Sequence, residues 1–508
     1  MYGKFCASLQ DGGVTSKGQS FAPRLRKEGG ITKKPLVIRP HQMKVAKHLM
    51  LKNKPALVMD HAMGAGKTVS TAVCIAAQII MDPKASTLVV VPLATLQQWQ
   101  FTMQEWLLLD DGDLLCTQKL DPTAKLARVT IVTWEALRIA FTSCHEAIKI
   151  EAEDAKGRLR KKIAWRATKT APRHVLFARE WGMVFFDEVQ KARNKQSQLC
   201  NAAMALQSAK FIGLSGTPVE NSAVDFCGLV ATLHIPDEDF RKDNAFSEKD
   251  LVKHGAIRAF SQRYVHTVTK EALNLPRLKV EAVYYDVEFS ESSVQVYSKA
   301  LQEAIKLQRR MDADGGSRQD SLEFLVRITR MQHMMLSPLL ATRGAAAFSA
   351  DHTLYTLAVD EDTACMRAFW GEIQRFCVQE GHKRVVVTAN KVVPLRIFRR
   401  YLERHPVAAG VQLFEYDGSM SLKKRVQVQE EFLTCEAGIL FLSMQAGGVG
   451  LNLVPGCQAM LVVPPWPWMK PDQVCTFAQG SAFTEAQCEK PRRSCAYVRV
   501  SVYILHST

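Results

Sequence analysis

The sequence predicts an α/β protein with two lobes, each built on a parallel sheet that is flanked by helices. Short apolar runs alternate with helix-like stretches, which is the pattern of strands buried on both faces of a parallel sheet. This alternation occurs twice, over residues 56–214 and again over 384–464. The length of 508 residues also allows more than one large core.

The rhythm of these runs divides the chain into four parts. Residues 1–34 contain Gly, Ser and Lys without sustained periodicity, so we expect a flexible basic arm. Residues 35–235 carry the first strand series and form the first lobe. Residues 236–350 lose the strand rhythm and show helical patterns, which predicts a helical connector. Residues 351–508 carry the second strand series, and we expect this lobe to be atypical or truncated at its C-terminal end.

A glycine-flanked turn follows the first apolar run and precedes a helix-like stretch. In such a turn the two glycines let backbone N–H groups surround a polyphosphate, the lysine reaches the outer phosphates and the threonine can bind Mg²⁺. The strict phosphate-loop pattern has another glycine where His61 stands, so a chance match in an unrelated loop is the alternative. The expected nucleotide-binding residues of the turn are Met63, Gly64, Ala65, Gly66, Lys67 and Thr68.

Gln42 lies ahead of this turn, in a stretch with helical spacing. Its amide both donates and accepts, so it could read the edge of an adenine base. An ordinary surface glutamine is the alternative.

The third apolar run, Met183–Phe186, ends in the acidic pair Asp187 and Glu188. At the mouth of a sheet, Asp187 could hold Mg²⁺ and Glu188 could orient and polarise an attacking water. The pair could also be an ordinary loop start. Because a phosphate loop precedes it in the same strand series, we favour the catalytic interpretation.

Two further strand ends carry small residues. Ser215, Gly216 and Thr217 follow the fourth run and suit a loop that senses the state of a phosphate, although a plain turn has the same composition. In the second series, three glycines permit close approach of the backbone to a phosphate: Gly447, Gly448 and Gly450. One lobe with a phosphate loop and one without suggests a nucleotide held in a cleft between them.

Charge and composition limit the classes of partner that this chain is expected to bind. A formal charge of +16 favours an anionic partner, of which nucleic acid fits best. A basic insertion at 145–178 around Trp165 could contact a phosphate backbone, although a solvated helix face or a disordered loop is the favoured interpretation. No run of 18 apolar residues occurs, so we expect a soluble protein without a membrane partner. The 13 cysteines include no Cys-x-x-Cys pair and indicate reduced thiols inside a cell.

The order of these motifs resembles that of the Swi/Snf-type ATPases, a branch of the superfamily II helicases, over residues 35–475. The motifs that carry the resemblance are 39–42, 63–68, 91–93 with 98–99, 132–135, 187–190, 214–221, 416–419 with Arg425, 446–453, and 464–468 before Asp472 and Gln473. Residues 215–221 and 446–453 are the most specific to the family.

The resemblance implies two RecA-like lobes with ATP and Mg²⁺ between them and duplex DNA across both. On matching positions, Gln42 would contact adenine, Lys67 and Thr68 the phosphates and Mg²⁺, and Asp187 and Glu188 the metal and the water. Ser215 to Pro218 would couple hydrolysis to motion. The residues near DNA and the facing lobe would be Gly447, Gly448, Gly450 and Asn452.

One family motif is missing. After Gln473 the family has two arginines that complete the ATP site, but ungapped alignment places Phe477 and Gly480 there. An arginine finger contributes about 10³–10⁵ in rate. Three explanations stay open: a wrongly predicted or frame-shifted coding end, a degenerate ATPase, or other residues that replace the finger. Residues 497–504 alternate well enough to form a last strand.

The predicted function is an ATP-dependent translocase on duplex DNA, of the chromatin-remodelling or DNA-repair type. The expected partners are double-stranded DNA and nucleosomes or other DNA-bound proteins, and the family implies a nuclear location. A nucleotide-gated DNA-binding protein with impaired hydrolysis is the rival, and an RNA-directed helicase is a weaker one.

Overall fold

The chain forms two compact units, residues 1–274 and 275–508. The structure is a computed structural model. The described residues are 38–51, 56–61, 65–107, 109, 112–153, 159–168, 174–216, 223–235, 256–269, 273, 278–287, 291–314, 317–447, 453, 457–462 and 498–507.

The first unit is built on a seven-stranded sheet whose paired strands are all parallel, with strand order β11-β1-β10-β8-β2-β4-β3. The strands of this unit, including two pairs outside the sheet, are β1 (Ala56–His61), β2 (Thr87–Val91), β3 (Leu114–Thr117), β4 (Val129–Thr133), β5 (His145–Glu153), β6 (Leu159–Ala167), β7 (Glu180–Trp181), β8 (Met183–Asp187), β9 (Gln207–Ser208), β10 (Phe211–Ser215) and β11 (Val265–Val268).

Helices cover both faces of this sheet. Along β2, Leu88 and Val90 belong to one buried apolar cluster, whereas Val89 and Val91 belong to another. Successive strand side chains point to opposite faces, so both faces are buried, as the continuous apolar runs predict. The helices are α1 (Pro40–Leu51), α2 (Lys67–Met81), α3 (Leu96–Trp106), α4 (Trp134–Cys144), α5 (Val175–Ala178), α6 (Gln198–Met204), α7 (Ala223–Thr232) and α8 (Ala256–Tyr264), with short 3₁₀ turns at Leu93–Thr95 and Val189–Ala192.

The basic insertion contains an antiparallel hairpin of β5 and β6, so the favoured interpretation as a helix face or a disordered loop is wrong for residues 145–153 and 159–167. Trp165 of β6 packs against the core and lies 5.2 Å from the ring of Phe141. On the second pair from the open end of the hairpin, Arg166 forms a 2.8 Å ion pair with Glu146. Contact of this insertion with a phosphate backbone stays a prediction.

The second unit has a six-stranded mixed sheet with strand order β12-β17-β16-β13-β15-β14. Its four predicted strands are parallel to one another, and β17 pairs antiparallel with both β16 and β12. The strands are β12 (Leu278–Val287), β13 (Arg384–Ala389), β14 (Gln412–Tyr416), β15 (Gly438–Ser443), β16 (Ala459–Val462) and β17 (Val498–Ser507). The expected last strand is therefore present, and the α/β class predicted for the chain is confirmed.

Residues 236–350 are not uniformly helical. They contain β11, which completes the first sheet, and β12, which pairs with β17 in the second. The helices of the second unit are α9 (Glu291–Asp314), α10 (Arg318–Leu336), α11 (Pro338–Arg343), α12 (Ala345–Ala350), α13 (Thr353–Asp360), α14 (Ala364–Gln374), α15 (Val392–Arg404), α16 (Leu422–Thr434) and α17 (Met444–Gly447), and a π-helical turn covers Arg375–Gln379. Two apolar clusters again occupy opposite faces of β13, one containing Val385 and Val387 and the other Val386.

Two glycines make room for the 3₁₀ turn that follows β8. A Cβ atom at Gly213 of β10 would lie 3.0 Å from Cγ1 of Val189, and one at Gly228 of α7 would lie 1.8 Å from the carbonyl oxygen of Arg193. The second contact is with backbone, which cannot move aside as a flexible side chain can. The position of α7 against this turn therefore depends on Gly228 having no side chain.

We predict that Gly228→Ala lowers the free energy of unfolding by about 1–3 kcal/mol, because the added methyl group overpacks a backbone contact. Gly371→Ala is the matched control, since Gly371 lies in α14 with no atom within 4 Å of an added Cβ. There, alanine should stabilise by about 0.5–1 kcal/mol through its higher helix propensity. Urea unfolding followed by circular dichroism measures both. Equal effects of the two substitutions would contradict the close approach.

Candidate nucleotide-binding site

The predicted phosphate loop connects β1 to α2. Met63 and Gly64 lie outside the described residues, and Ala65 is buried. Gly66 precedes the helix with φ 78° and ψ 47°, a left-handed conformation that favours glycine. A Cβ atom there would also lie 2.6 Å from Nε2 of Gln42. The left-handed conformation therefore favours glycine at position 66, and any larger residue would also displace the amide of Gln42.

The start of α2 presents positive charge to the loop. Lys67 is the first residue of the helix, and its Nζ donates to the carbonyl oxygen of His61 at 3.2 Å, across the loop. Thr68 follows and is partly buried. The first turn contains no acidic residue and Gly66 supplies no side-chain cap. Free N–H groups, the helix dipole and an ammonium group at one place suit an anion such as a phosphate.

Gln42 lies on α1 against this loop. The side chain is 4% exposed, and its Nε2 donates to the carbonyl oxygens of Ala65 at 3.3 Å and Gly66 at 3.5 Å. Its Oε1 accepts from the backbone N–H of Arg39 at 2.8 Å. The amide therefore stabilises the loop, and its expected contact with adenine stays a prediction.

The acidic pair stands at the end of β8, next to the strand ends that carry the other site residues. Asp60 of β1 is opposite Ser215 of β10, and Leu214 of β10 is opposite Asp187 of β8. Because these strands are parallel, their carboxyl ends meet at one edge of the sheet. Ser215 is buried and Gly216 follows it, whereas Thr217 lies outside the described residues.

Glu188 has a strained backbone. Its φ is 51° and its ψ is 55°, a left-handed conformation that costs a non-glycine residue about 1–3 kcal/mol and is common at functional sites. The side chain is 9% exposed, and Nε2 of Gln190 donates to its Oε2. Within the described part of the chain, Oε1 of Gln190 is buried without a hydrogen-bond partner. A further donor, such as a bound water or ligand group, would satisfy that oxygen.

Asp187 is 6% exposed and receives two indole hydrogen bonds. Nε1 of Trp99 donates to its carboxylate Oδ2 at 2.9 Å, and Nε1 of Trp134 donates to its carbonyl oxygen at 2.8 Å. Both tryptophans lie in motifs that carry the family resemblance, which assigns a role to neither. Their only sequence signal is that each stands at or near the start of a helix that follows a predicted strand.

Burial and the neighbouring Glu188 raise the pKa of the Asp187 carboxyl, while Trp99 and the charge of Lys67 counteract the rise. A cation at this carboxylate would offset the unfavourable burial of its charge. Among the described residues no three His, Cys, Asp or Glu side chains form a metal cluster. Mg²⁺ is commonly held by one or two carboxylates together with phosphates, so Asp187, Thr68 and a bound polyphosphate fit this ion.

A group of histidines behind the loop was not foreseen. His61 at the end of β1 is fully buried, and its Nε2 lies 3.0 Å from Nδ1 of His266 on β11. Its Nδ1 is buried without a partner among the described residues. The ring of His41 lies 6.0 Å from that of His61, and its Nε2 lies 2.8 Å from the carbonyl oxygen of Ala65.

In the second unit, Gly447 ends α17, while Gly448, Gly450 and Asn452 lie outside the described residues, as do the positions of the missing arginines. The motif at 416–419 is described. Arg425 donates to the carbonyl oxygens of Gly418 at 2.9 Å and Met420 at 3.1 Å, so this arginine holds the loop after β14 in place.

Comparisons with known proteins point to one family. The profile described as the SNF2-related domain matches residues 41–337, more than half of the chain. A solved SWI2/SNF2 ATPase core of Sulfolobus solfataricus in complex with dsDNA matches with a TM-score of 0.36 and 17% identity, covering 80% of this chain and 78% of that one.

Curated relatives share low identity over most of the chain. The probable global transactivator of Orgyia pseudotsugata multicapsid polyhedrosis virus is 26% identical, covering 80% of this chain and 76% of the viral protein. The ISWI chromatin-remodeling complex ATPase ISW2 of Saccharomyces cerevisiae is 22% identical over 82% of this chain, which spans 35% of that relative. A RAD54-like DNA repair and recombination protein of Drosophila ananassae is 23% identical over 85% of this chain, which spans 56% of it.

No helix in the described part of the chain has both the length and the apolar character needed to cross a membrane.

The buried His61 predicts a pH dependence of stability. Burial, followed by the nearby His266, His41 and Lys67, lowers the pKa of His61 from 6.5 to about 3. Between these values the unfolded chain binds a proton that the folded chain does not. The free energy of unfolding should therefore fall as the pH falls from 6.5, by at most about 1.4 kcal/mol per pH unit from this group.

Urea unfolding at several pH values measures this slope, and His61→Gln should make it shallower. The same substitution at the exposed His352 is the control. An unchanged slope in His61→Gln would contradict the assignment of the proton to His61.

Proposed function

The chain belongs to the SNF2-related domain family, and on that premise we propose that it is an ATP hydrolase that uses ATP and Mg²⁺ to move along duplex DNA. The observation that carries the proposal is the common sheet edge at which β1, β8 and β10 end. Lys67, the acidic pair and Ser215 come together there, as a phosphate-cleaving site requires.

ATP binding is assigned to the loop and to α1. The N–H groups at the start of α2 and the ammonium of Lys67 bind the phosphates. Gln42 contacts the adenine. Because its side chain also contacts carbonyl oxygens of the loop, binding of the base and the position of the loop are coupled. Thr68 and Asp187 hold Mg²⁺, which when bound neutralises charge on the phosphate oxygens.

Hydrolysis is assigned to Glu188. Its carboxylate orients the attacking water and accepts its proton, and Gln190 holds Oε2 of that carboxylate through its amide. The left-handed backbone at Glu188 turns its side chain away from the direction that an extended strand would give it. Lys67 stabilises negative charge on the phosphates as the terminal bond breaks.

Motion is assigned to the segments that follow the strand ends. Ser215, Gly216 and Thr217 report the state of the terminal phosphate. Gly447, Gly448, Gly450 and Asn452 contact DNA. Residues 35–235 form the ATP-binding lobe, 236–350 the connector and 351–508 the second lobe. The boundary between the two compact units, at residues 274 and 275, falls inside that connector.

The relatives support a role on chromatin or in DNA repair. One is named as a chromatin-remodeling complex ATPase and another as a DNA repair and recombination protein. We propose that this chain shifts nucleosomes or other proteins bound to double-stranded DNA, in the nucleus. Its net charge of +16 supports the binding of a polyanion.

The missing arginines favour a second candidate. Phe477 and Gly480 occupy the positions at which the family has its two arginines, so a main source of transition-state stabilisation is absent. In this candidate the chain binds DNA under nucleotide control and hydrolyses ATP poorly.

We predict DNA-stimulated ATP turnover by the purified chain. Glu188→Gln should lower turnover by about 10²–10⁴ because the water loses its proton acceptor, while ATP binding persists. Lys67→Ala should weaken ATP binding itself, since the phosphates lose a charge-assisted contact. A phosphate-release assay with and without duplex DNA measures the first effect, and equilibrium binding measures the second. Full turnover in both variants would exclude this site.

The same preparation separates the two candidates. If ATP binds without turnover, the nucleotide-gated candidate predicts different affinities for duplex DNA in ATP and in ADP. The two nucleotides would then have different coupling free energies with DNA binding, and each changes the DNA affinity by its own factor. Fluorescence anisotropy of a labelled duplex, compared with RNA of the same sequence, measures this. Equal affinity in both nucleotides would exclude nucleotide gating, and a preference for RNA would exclude duplex DNA as the partner.

A further inference from the structure

Two tryptophans approach Asp187 from neighbouring parts of the sheet. Trp99 lies on α3, which follows β2, and Trp134 begins α4, which follows β4. Strand β2 lies between β8 and β4, so both helices start near the end of β8. The side chains are 1% and 0% exposed, and each indole has its single N–H directed at Asp187. Both are therefore buried donors to the same residue.

The two hydrogen bonds have different acceptors. Trp99 donates to Oδ2 of the carboxylate, whereas Trp134 donates to the backbone carbonyl oxygen. A hydrogen bond to a carboxylate fixes the rotation of the side chain and stabilises its charge. A hydrogen bond to the carbonyl oxygen fixes the chain after Phe186, whose ring stacks on Trp134 at 5.4 Å. Trp99 therefore orients the side chain of Asp187, whereas Trp134 fixes its backbone.

Orientation of this carboxylate matters for Mg²⁺. The ion demands near-ideal octahedral geometry and is bound by few protein oxygens, so a misdirected carboxylate is a poor ligand. Groups that hold a ligand by hydrogen bonds commonly change metal affinity by about 10–100-fold when removed. Oδ2 is also buried, so loss of its donor leaves a desolvated carboxylate oxygen without that partner.

We propose that Trp99 is a positioning residue for metal binding, which holds the Asp187 carboxylate through Oδ2 in the orientation that binds the Mg²⁺ of the nucleotide. Trp134 positions the backbone only. The inference rests on the proposed function, in which Asp187 is a ligand of Mg²⁺. It adds a residue from the segment after β2 to the site formed by β1, β8 and β10.

A purely structural role for Trp99 predicts something different. Trp99 packs in the apolar cluster with Leu96 and Met103, so its loss should lower stability whatever its hydrogen bond does. Trp134 is equally buried and packs in the other cluster. Stability alone therefore cannot distinguish the roles, whereas the effect of Mg²⁺ on nucleotide binding can.

The experiment compares Trp99→Phe with Trp134→Phe in the full chain. Calorimetry gives the dissociation constant of ATP in EDTA and in saturating Mg²⁺. The constant in EDTA divided by the constant in Mg²⁺ is the contribution of the metal to ATP binding. We expect Trp99→Phe to lower this ratio by about 10–100-fold, toward the ratio of Asp187→Asn, with affinity in EDTA unchanged. Trp134→Phe should keep the wild-type ratio even where it lowers the melting temperature.

If Trp99→Phe does not fold, 3-benzothienylalanine at position 99 replaces the indole N–H by sulfur and keeps the two-ring shape. An unchanged ratio in the Trp99 variant, or equal losses in both tryptophan variants, overturns the inference and leaves the proposed function standing. If Mg²⁺ does not change the ATP affinity of the wild-type chain, Asp187 is not a ligand of the ion, and the inference is overturned as well. A wild-type chain that does not bind ATP overturns the proposed function itself.

Discussion

The candidate site depends on the parallel register of β1, β10 and β8. Asp60 is opposite Ser215 and Leu214 is opposite Asp187, so the three strands end at one level of the sheet. A shift of one residue in either pairing would turn alternate side chains to the other face and displace Asp187 from the lysine-bearing loop. Both faces of the strands are buried in separate clusters, so a shifted register would have to repack both of them.

Much of the fold could be predicted because its signals are local. A buried strand such as β2, whose five residues are all buried, appears in the sequence as an uninterrupted apolar run. Strands without that signal were missed, including β11 and β12, which lie in a stretch with helical patterns. The hairpin of β5 and β6 was missed because its basic residues obscure the strand pattern.

Local signals could also predict the site residues that follow strands, such as Lys67 and Asp187, but not how these residues are held. Trp99 and Asp187 are 88 positions apart and His61 and His266 are 205 apart, so no periodicity relates them. The strained backbone of Glu188 depends on its tertiary surroundings, since glutamate has no intrinsic preference for that conformation. The predicted residues thus stand in local motifs at strand and helix ends, whereas the missed contacts join segments that are far apart in the sequence.

The paired indoles at Asp187 also have an optical consequence. The emission of an indole depends on the electric field across its ring, and two of the eight tryptophans of this chain donate hydrogen bonds to the residue at which a cation is expected. A change of charge at that residue alters both rings at once. The molecule therefore carries its own ultraviolet reporter of site occupancy, with no label attached, and the other six tryptophans supply its background.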